Sequence, residues 1–232
     1  MGIAEFFFKL AERTFASKPP FPPSHPKLFL TWDDIASQAT DAIVNAADWS
    51  MMGGTGVDGA IHEAAGRELG AFIVARRLRL ETAQAVATPG FLLPAKHVIH
   101  TCAPVHQYPT DDDQRKALRL CYVHSIRLAD SMGLCSISFP LLGGGAFGWP
   151  TREAATQCAA AIKAEQPLCA SLKEIRVCAF GPASLDALSA ALGVAGTISS
   201  AAQAGSLRYH AGKSATEHLS SDEILRRDPQ GH

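Results

Sequence analysis

Residues 41–66 read DAIVNAADWSMMGGTGVDGAIHEAAG, and this stretch gives the strongest indication of the fold. It begins with the short apolar run Ala42–Asn45, continues into a glycine-rich loop, and takes up helical periodicity from Val57. A strand, a loop and a helix in this order indicate an α/β fold with a sheet covered by helices. The glycines let backbone N–H groups converge on an anion, and the helix N-terminus behind them adds partial positive charge. The stretch therefore predicts an anion-binding loop.

A second loop of the same kind lies further along the chain. Gly143–Gly148 reads GGGAFG, between a predicted strand at Ser136–Pro140 and a predicted helix at Thr151–Glu165. Ligands of open α/β sheets bind beyond the carboxyl ends of the strands, where both loops are expected. Two such loops in one domain predict a diphosphate that is held from both sides.

Both loops also match the GxGxxG pattern of dinucleotide-binding units, at Gly54–Gly59 and Gly143–Gly148. In those units the first glycine follows its strand almost directly, whereas Ala46–Met52 separates the first strand from its glycines here. In the second loop, Pro150 favours a helix that starts after the last glycine. A nicotinamide-dependent enzyme is therefore the less favoured alternative.

The rest of the central region alternates between strand and helix patterns, which predicts a mixed, mostly parallel sheet with helices on both faces. Besides Ala42–Asn45 and Ser136–Pro140, the predicted strands are Leu28–Thr31, Ala83–Thr88, His97–Ala103 and Glu174–Phe180. Besides Thr151–Glu165, the predicted helices are Val57–Arg79 with a break near Gly70, Asp113–Met132 and Pro182–Leu192.

Composition divides the chain into one domain with two flanking segments. Residues 1–26 hold a short amphipathic helix pattern, Ile3–Phe15, and the Pro-rich linker Lys18–Pro26. Residues 27–195 carry the apolar periodicity of a single domain. Residues 196–232 are rich in Ala, Ser, Gly and charged residues, which predicts a flexible tail.

Charge and cysteine content exclude several classes of protein. The net charge of −1 disfavours a protein that binds nucleic acid through its phosphates. No run is long enough to predict a membrane span, and Ile3–Phe15 has too many charges for a secretory signal. Six cysteines without CxxC spacing predict buried free thiols, which favours a reducing, cytoplasmic location.

Four motifs, in order, resemble the macrodomain family: residues 41–48, residues 52–66, LPAKHVIHT at 93–101, and the segment from Phe139 to Pro150. The chain is most similar to the branch that hydrolyses O-acetyl-ADP-ribose and ADP-ribosylated acidic side chains. The resemblance covers about residues 27–192 and implies a three-layer α/β/α fold.

The resemblance also implies which residues bind ADP-ribose. Asp34 and Ile35 match the pair that contacts adenine, and Phe180 is the substitute for an adenine-side aromatic expected at Ala179. Phe147 matches an aromatic that packs beside the distal ribose. The residues that match the two diphosphate loops are Gly53, Gly54, Thr55, Gly56, Val57, Gly143, Gly144, Gly145 and Ala146.

Three polar residues are the catalytic candidates: Asn45, Asp48 and Asp58. Asp58 matches the acidic residue assigned to hydrolysis, and a carboxylate beside the ribose can orient or deprotonate water. Its alternative interpretation is a helix N-cap. Asn45 matches a residue that lines the distal ribose. Asp48 stands where the family has asparagine, so an acceptor replaces a group that both donates and accepts.

No metal or cofactor is expected, because the first loop lacks the additional Cys and His of the family's zinc-dependent branch. His62 and His100 are interpreted as structural histidines, since neither has a recognisable partner in the sequence. Trp49 follows the motif at residues 41–48 and Trp149 follows the second glycine loop, and we expect both to pack beneath the site.

The expected partner is ADP-ribose or an ADP-ribosylated protein. The expected function is an ADP-ribosyl ester hydrolase that removes ADP-ribose from acidic side chains, deacetylates O-acetyl-ADP-ribose, or does both. The alternative is a reader module that binds ADP-ribose without turnover, which the substitution at Asp48 favours. A third class, a regulator that uses the domain as an RNA or protein interaction surface, lacks a basic patch.

Overall fold

The computed structural model describes residues 25–203, in which seven strands form one sheet. The sheet order is β3-β4-β2-β5-β6-β1-β7, and β3 is the one antiparallel strand in it. The strands are β1 (Lys27–Trp32), β2 (Ala42–Ala46), β3 (Ala85–Pro89), β4 (His97–Thr101), β5 (Ser136–Pro140), β6 (Glu174–Ala179) and β7 (Thr197–Ile198). The predicted N-terminal helix, most of the Pro-rich linker and the tail after residue 203 lie outside the described residues.

The helices follow the predicted order, and 3-10 turns at Ile35–Ser37 and Gln166–Leu168 accompany them. The predicted long helix is two helices that break at Gly66 and not near Gly70, because Gly66 has a φ of +82° that a helix cannot continue. The helices are α1 (Gly56–Ala65), α2 (Arg67–Ala75), α3 (Asp112–Ser131), α4 (Thr151–Glu165), α5 (Pro182–Leu192) and α6 (Ser200–Gln203).

Two apolar cores cover the two faces of the sheet. Successive strand residues point to opposite faces, so Ile43 packs with α1 and α2, whereas Val44 packs with α3, α4 and α5. In the neighbouring β4, Val98 belongs to the same core as Ile43, and Ile99 belongs to the same core as Val44. Each of these fully buried side chains contributes about 1.5–3 kcal/mol of transfer free energy. The arrangement confirms the predicted α/β/α architecture.

Regular secondary structure continues past the predicted start of the tail at residue 196. Thr197 and Ile198 form β7 and pair with Thr31 and Trp32 of β1, and α6 follows. At Gly196 the chain passes close to α5, where a Cβ would lie 2.5 Å from the end of the Leu185 side chain. The composition of the segment does not indicate this contact, because the contact depends on how closely the backbone approaches α5 at the glycine.

All six cysteines are free thiols, as predicted. Burial raises the pKa of Cys121 and of Cys158 to about 12, so both remain protonated at neutral pH. Cys135 is an exception to the predicted burial because it is exposed. Among residues 25–203, no helix has the length and apolar character needed to cross a membrane.

Candidate functional site

A cleft of about 410 Å³ opens at the carboxyl ends of β1, β2, β5 and β6. The two glycine loops face each other there because β2 and β5 are neighbours in the sheet. Most of the predicted ligand-binding residues line it: Asp34, Ile35, Thr55, Gly56, Val57, Gly143, Gly144, Gly145, Ala146, Phe147 and Phe180. Gly53 and Gly54 do not line the cleft, and they pack against His62 and Gly59 of α1.

The first loop needs glycine for close packing. Gly53 has a φ of +84°, and a Cβ there would lie 3.0 Å from the His62 ring. A Cβ at Gly59 would lie 2.5 Å from the carbonyl oxygen of Gly54. Thr55 is the N-cap of α1, and its hydroxyl makes no capping hydrogen bond. The N–H groups of the first helical turn therefore remain available to an anion at the cleft.

The second loop is anchored from below by buried polar contacts. The N–H of Leu142 donates to the Tyr122 hydroxyl at 2.8 Å, and Nε1 of Trp149 donates to the carbonyl oxygen of Pro104 at 2.8 Å. Among the described residues, the N–H groups of Gly145, Ala146 and Phe147 donate no hydrogen bond. The loop is therefore a fixed cradle whose donors are free for a ligand.

Asp58 lies buried behind the first loop and, like Asn45, does not line the cleft. Nδ2 of Asn45 donates to Oδ1 of Asp58 at 2.6 Å, and Nε2 of His62 lies 3.6 Å from the same oxygen. Burial raises the pKa of Asp58, while the Asn45 hydrogen bond and His62 oppose that rise and the Asp48 carboxylate adds to it. Asp58 sits in the first turn of α1 and does not cap it, so the N-cap interpretation is wrong.

His100 completes this buried polar cluster. Its Nδ1 lies 3.1 Å from Nδ2 of Asn45, and its Nε2 lies 3.0 Å from Oγ1 of Thr88. Burial lowers the pKa of His100 to about 3, so the ring is neutral at physiological pH. The sequence missed these contacts because the partners belong to three different strands.

Asp48 lies at the surface and outside the cleft lining. Its Oδ1 accepts hydrogen bonds from the N–H of Ser50 at 2.8 Å, the Ser50 hydroxyl at 2.7 Å and the N–H of Met51 at 3.0 Å. This is an Asx turn, in which a short side chain closes the backbone that follows it. Asp48 therefore shapes the start of the first loop.

The opposite end of the cleft is built around Asp34. Its Oδ1 accepts from the N–H of Ala36 at 2.9 Å and caps the 3-10 turn that buries Ile35. Phe180 is 45% exposed and forms part of the same wall. Sequence reasoning missed Cys178 and Ser184 in this wall, although the strand end and the helix start that carry them were predicted.

Known proteins of one family are similar to this chain in sequence and in fold. The Macro domain profile matches residues 44–158. A macro domain-containing protein of Ralstonia nicotianae is 42% identical over 153 residues, which cover 66% of this chain and 86% of that protein. The chain belongs to the macro domain family. The macrodomain resemblance of the four motifs is thereby confirmed.

Two further relatives of this macro domain bear on its site. ADP-ribose glycohydrolase MACROD1 of Rattus norvegicus is 44% identical over 138 residues, 59% of this chain and 53% of that protein. The Oceanobacillus iheyensis macrodomain solved with ADP has a TM-score of 0.69 and 34% identity, covering 73% of this chain and 92% of that chain. Other structures of that protein carry a replaced asparagine, a replaced aspartate, or a replaced glycine with ADPR present.

The two tryptophans of this macro domain differ from each other. Trp149 is buried beneath the second loop, as predicted, and its ring centroid lies 5.1 Å from that of His106, with the two rings tilted by 58°. Trp49 is 64% exposed, so the expectation that it packs beneath the site is wrong. It lies on the outer side of the Asp48 turn, within 5.8 Å of the Arg79 guanidinium.

Within residues 25–203, no group of three His, Cys, Asp or Glu side chains comes together in a way that could hold a metal ion.

Proposed function

We propose that this macro domain binds ADP-ribose in the cleft and hydrolyses the ester that joins it to an acidic side chain or to an acetyl group. The observation that carries the proposal is the position of Asp58. A buried carboxylate, whose pKa burial raises, lies directly behind a loop with free N–H donors. That combination pairs a diphosphate cradle with a general base.

The cleft can hold each part of ADP-ribose by ordinary contacts. The diphosphate would lie between the N-terminus of α1 and the free N–H groups of Gly145 to Phe147. At the other end, Asp34 uses only Oδ1 within the described chain, so Oδ2 can accept from the exocyclic amine of adenine. The wall that carries Phe180 then covers the base.

The proposed reaction needs one base and no metal. Asp58 takes a proton from water as the water attacks the anomeric carbon or the acyl carbonyl, and the ester bond breaks to give ADP-ribose and a carboxylic acid. At the anomeric carbon the departing carboxylate needs no strong general acid, whereas at the acyl carbonyl the departing ribose oxygen takes back the proton that Asp58 accepted. Nε2 of His62 and Oδ1 of Asn45 are buried beside Asp58 and have no hydrogen-bond partner within the described residues. They can contact the polar distal ribose or the attacking water.

The relatives support this assignment. Rat MACROD1 is named an ADP-ribose glycohydrolase. In the Oceanobacillus protein, the replaced asparagine precedes the replaced glycine by seven residues, and that glycine precedes the replaced aspartate by three. Asp48, Thr55 and Asp58 have the same spacing here. The correspondence supports Asp58 as the acidic residue and Asp48 as the position where asparagine is replaced.

A reader module without turnover is the second candidate, and Asp48 is the observation that favours it. The test is to incubate the protein with ADP-ribose linked through Glu, Ser or Arg, and with O-acetyl-ADP-ribose, and to follow ADP-ribose release. We expect release from the Glu-linked or the acetyl ester and none from the Arg-linked nitrogen. ADP-ribose binding by calorimetry without any release would establish the reader, and no binding at millimolar ligand would eliminate both candidates.

Asp48→Asn is expected to raise ADP-ribose affinity by up to about fivefold. The asparagine keeps the Oδ1 acceptor for Ser50 and Met51, removes a negative charge at the start of the first loop, and adds a donor. The limit follows from the exposure of Asp48, because exposed charge interactions contribute about 0.2–1 kcal/mol.

Calorimetry at low and high salt measures this effect, and the gain should shrink as salt screens the charge. Asp48→Ala is the control, since it removes the charge together with the acceptor that closes the turn. An affinity of Asp48→Asn equal to the wild-type value at low salt would contradict the proposed repulsion.

We also infer that the protein works in a reducing, cytoplasmic environment. The six free thiols, four of them buried and without disulfide partners, support this compartment.

A further inference from the structure

A continuous chain of hydrogen bonds runs inward from Asp58 across three strands. Asn45 of β2 lies directly opposite His100 of β4, and β3 supplies Thr88 on the far side of the ring. The distances are 2.6 Å from Asp58 to Asn45, 3.1 Å from Asn45 to His100 and 3.0 Å from His100 to Thr88. Asn45 and His100 are fully buried and Thr88 nearly so.

The direction of each bond in this chain is fixed by its neighbour. Nδ2 of Asn45 faces both Oδ1 of Asp58 and Nδ1 of His100, so both of those atoms must accept. With Nδ1 as an acceptor, neutral His100 carries its proton on Nε2 and donates to Oγ1 of Thr88. The Thr88 hydroxyl in turn faces the carbonyl oxygen of Pro89 at 3.3 Å, which accepts its proton.

The opposite tautomer would break the contact at Asp58. A proton on Nδ1 of His100 would point at the N–H groups of Asn45, and two donors cannot share one bond. The Asn45 carboxamide would then rotate to present Oδ1 to the ring. That rotation would turn Asn45 so that its amide no longer donates to the Asp58 carboxylate. The Thr88 hydroxyl favours the His100 tautomer that carries its proton on Nε2. It thereby determines whether the Nδ2 side or the Oδ1 side of the Asn45 amide faces Asp58.

We infer that His100 and Thr88 are positioning residues that hold the Asn45 amide as a donor to Asp58. His100 is fully buried and Thr88 nearly so, and both are connected to Asp58 through Asn45, so they act on the reaction through that amide. The inferred effect on turnover rests on the proposed hydrolase function, whereas the hydrogen-bond chain itself does not.

The groups around Asp58 explain why this donor matters. His62 faces it from α1, the Asp48 carboxylate acts on it from the loop after β2, and the neutral His100 ring lies beyond Asn45. Burial raises the pKa of Asp58, and the Asn45 hydrogen bond is the main influence that lowers it. Loss of the donor should therefore raise that pKa further, so that the ionised base forms only at higher pH.

The test compares Thr88→Val with Thr88→Ser. Valine keeps the shape but removes the acceptor for His100, whereas serine keeps the hydroxyl. For Thr88→Val we expect the Nδ1–H tautomer of His100 in ¹⁵N NMR. We also expect an upward shift of about one to two pH units in the Asp58 carboxyl titration and in the acid limb of kcat. Thr88→Ser should restore the wild-type tautomer and titration.

A second variant keeps the test decisive if Thr88→Val fails to fold. His100→Gln leaves a side chain that can donate to Thr88 but offers no acceptor where Nδ1 stood, so it should shift the Asp58 titration in the same direction. An unchanged Asp58 titration in both variants would overturn the inference, as would a lower melting temperature with an unshifted titration. Because the NMR titration needs no turnover, an inactive wild-type protein would count against the hydrolase function and leave the positioning test intact.

Discussion

Asp58→Asn is expected to lower the turnover of ADP-ribosyl esters by roughly 10²–10⁴, the usual contribution of a general acid or base. ADP-ribose affinity should stay close to wild type, because the asparagine has the same size and its oxygen can still accept from Nδ2 of Asn45. What it loses is the ability to take a proton from water. Single-turnover rates and calorimetric affinities on the same preparation separate the two effects.

The pH profile gives this prediction a second measurement. Burial raises the pKa of Asp58, so the acid limb of wild-type turnover should lie above the titration of an ordinary aspartate. The base acts in its ionised form, so activity should rise as the pH increases through that limb. Asp58→Asn has no carboxyl there, and its residual activity should lack the limb.

Asp112→Asn is the matched control, since it makes the same chemical change in the first turn of another helix, α3, at a fully exposed side chain. It should leave both turnover and affinity at wild-type values. Wild-type turnover in Asp58→Asn would remove this carboxylate from the mechanism. A parallel loss of affinity and turnover would mean instead that the substitution had disturbed the first loop.

Local signals account for the parts of the fold that the sequence predicts well. The bounds of β5, α4 and α5 agree with prediction because proline or glycine stands at or beside one end of each element and fixes where the chain must turn. The cleft is predicted for a similar reason, since glycine loops after parallel strands must meet at one edge of the sheet. Short-range chemistry is sufficient in both cases.

The buried cluster behind Asp58 could not be predicted in the same way. His100 stands 55 residues after Asn45, and their contact exists only because β2 and β4 pair in one particular register. No sequence feature near His100 indicates which register the two strands adopt. The Asx turn at Asp48 is different, because Asp48 and Ser50 are two residues apart and this spacing is a known turn signal.

Gly145→Val is expected to weaken ADP-ribose binding by about 10- to 100-fold while leaving the fold intact. A Cβ at Gly145 would meet no atom within 4 Å, and the residue needs no positive φ, so the domain tolerates a side chain there. The open space belongs to the cleft, however, and its occupant in our proposal is the diphosphate. A branched side chain would then overpack the complex, which costs about 1–3 kcal/mol.

The measurement is a pair of melting curves, with and without ligand. Ligand at 100 times the wild-type Kd should stabilise the wild-type protein by about 2.7 kcal/mol, which corresponds to a rise in melting temperature of roughly 5–10 °C for a domain of this size. Gly145→Val should melt at the wild-type temperature without ligand and lose most of that rise.

Gly143→Val is the contrasting variant in the same loop. A Cβ there would lie 2.7 Å from the Trp149 ring, and the φ of +83° disfavours any branched residue. This variant should therefore melt at a lower temperature even without ligand. The contrast assigns one glycine to binding and the other to folding. A ligand-induced rise in Gly145→Val as large as that of the wild type would mean that the diphosphate does not lie against this loop.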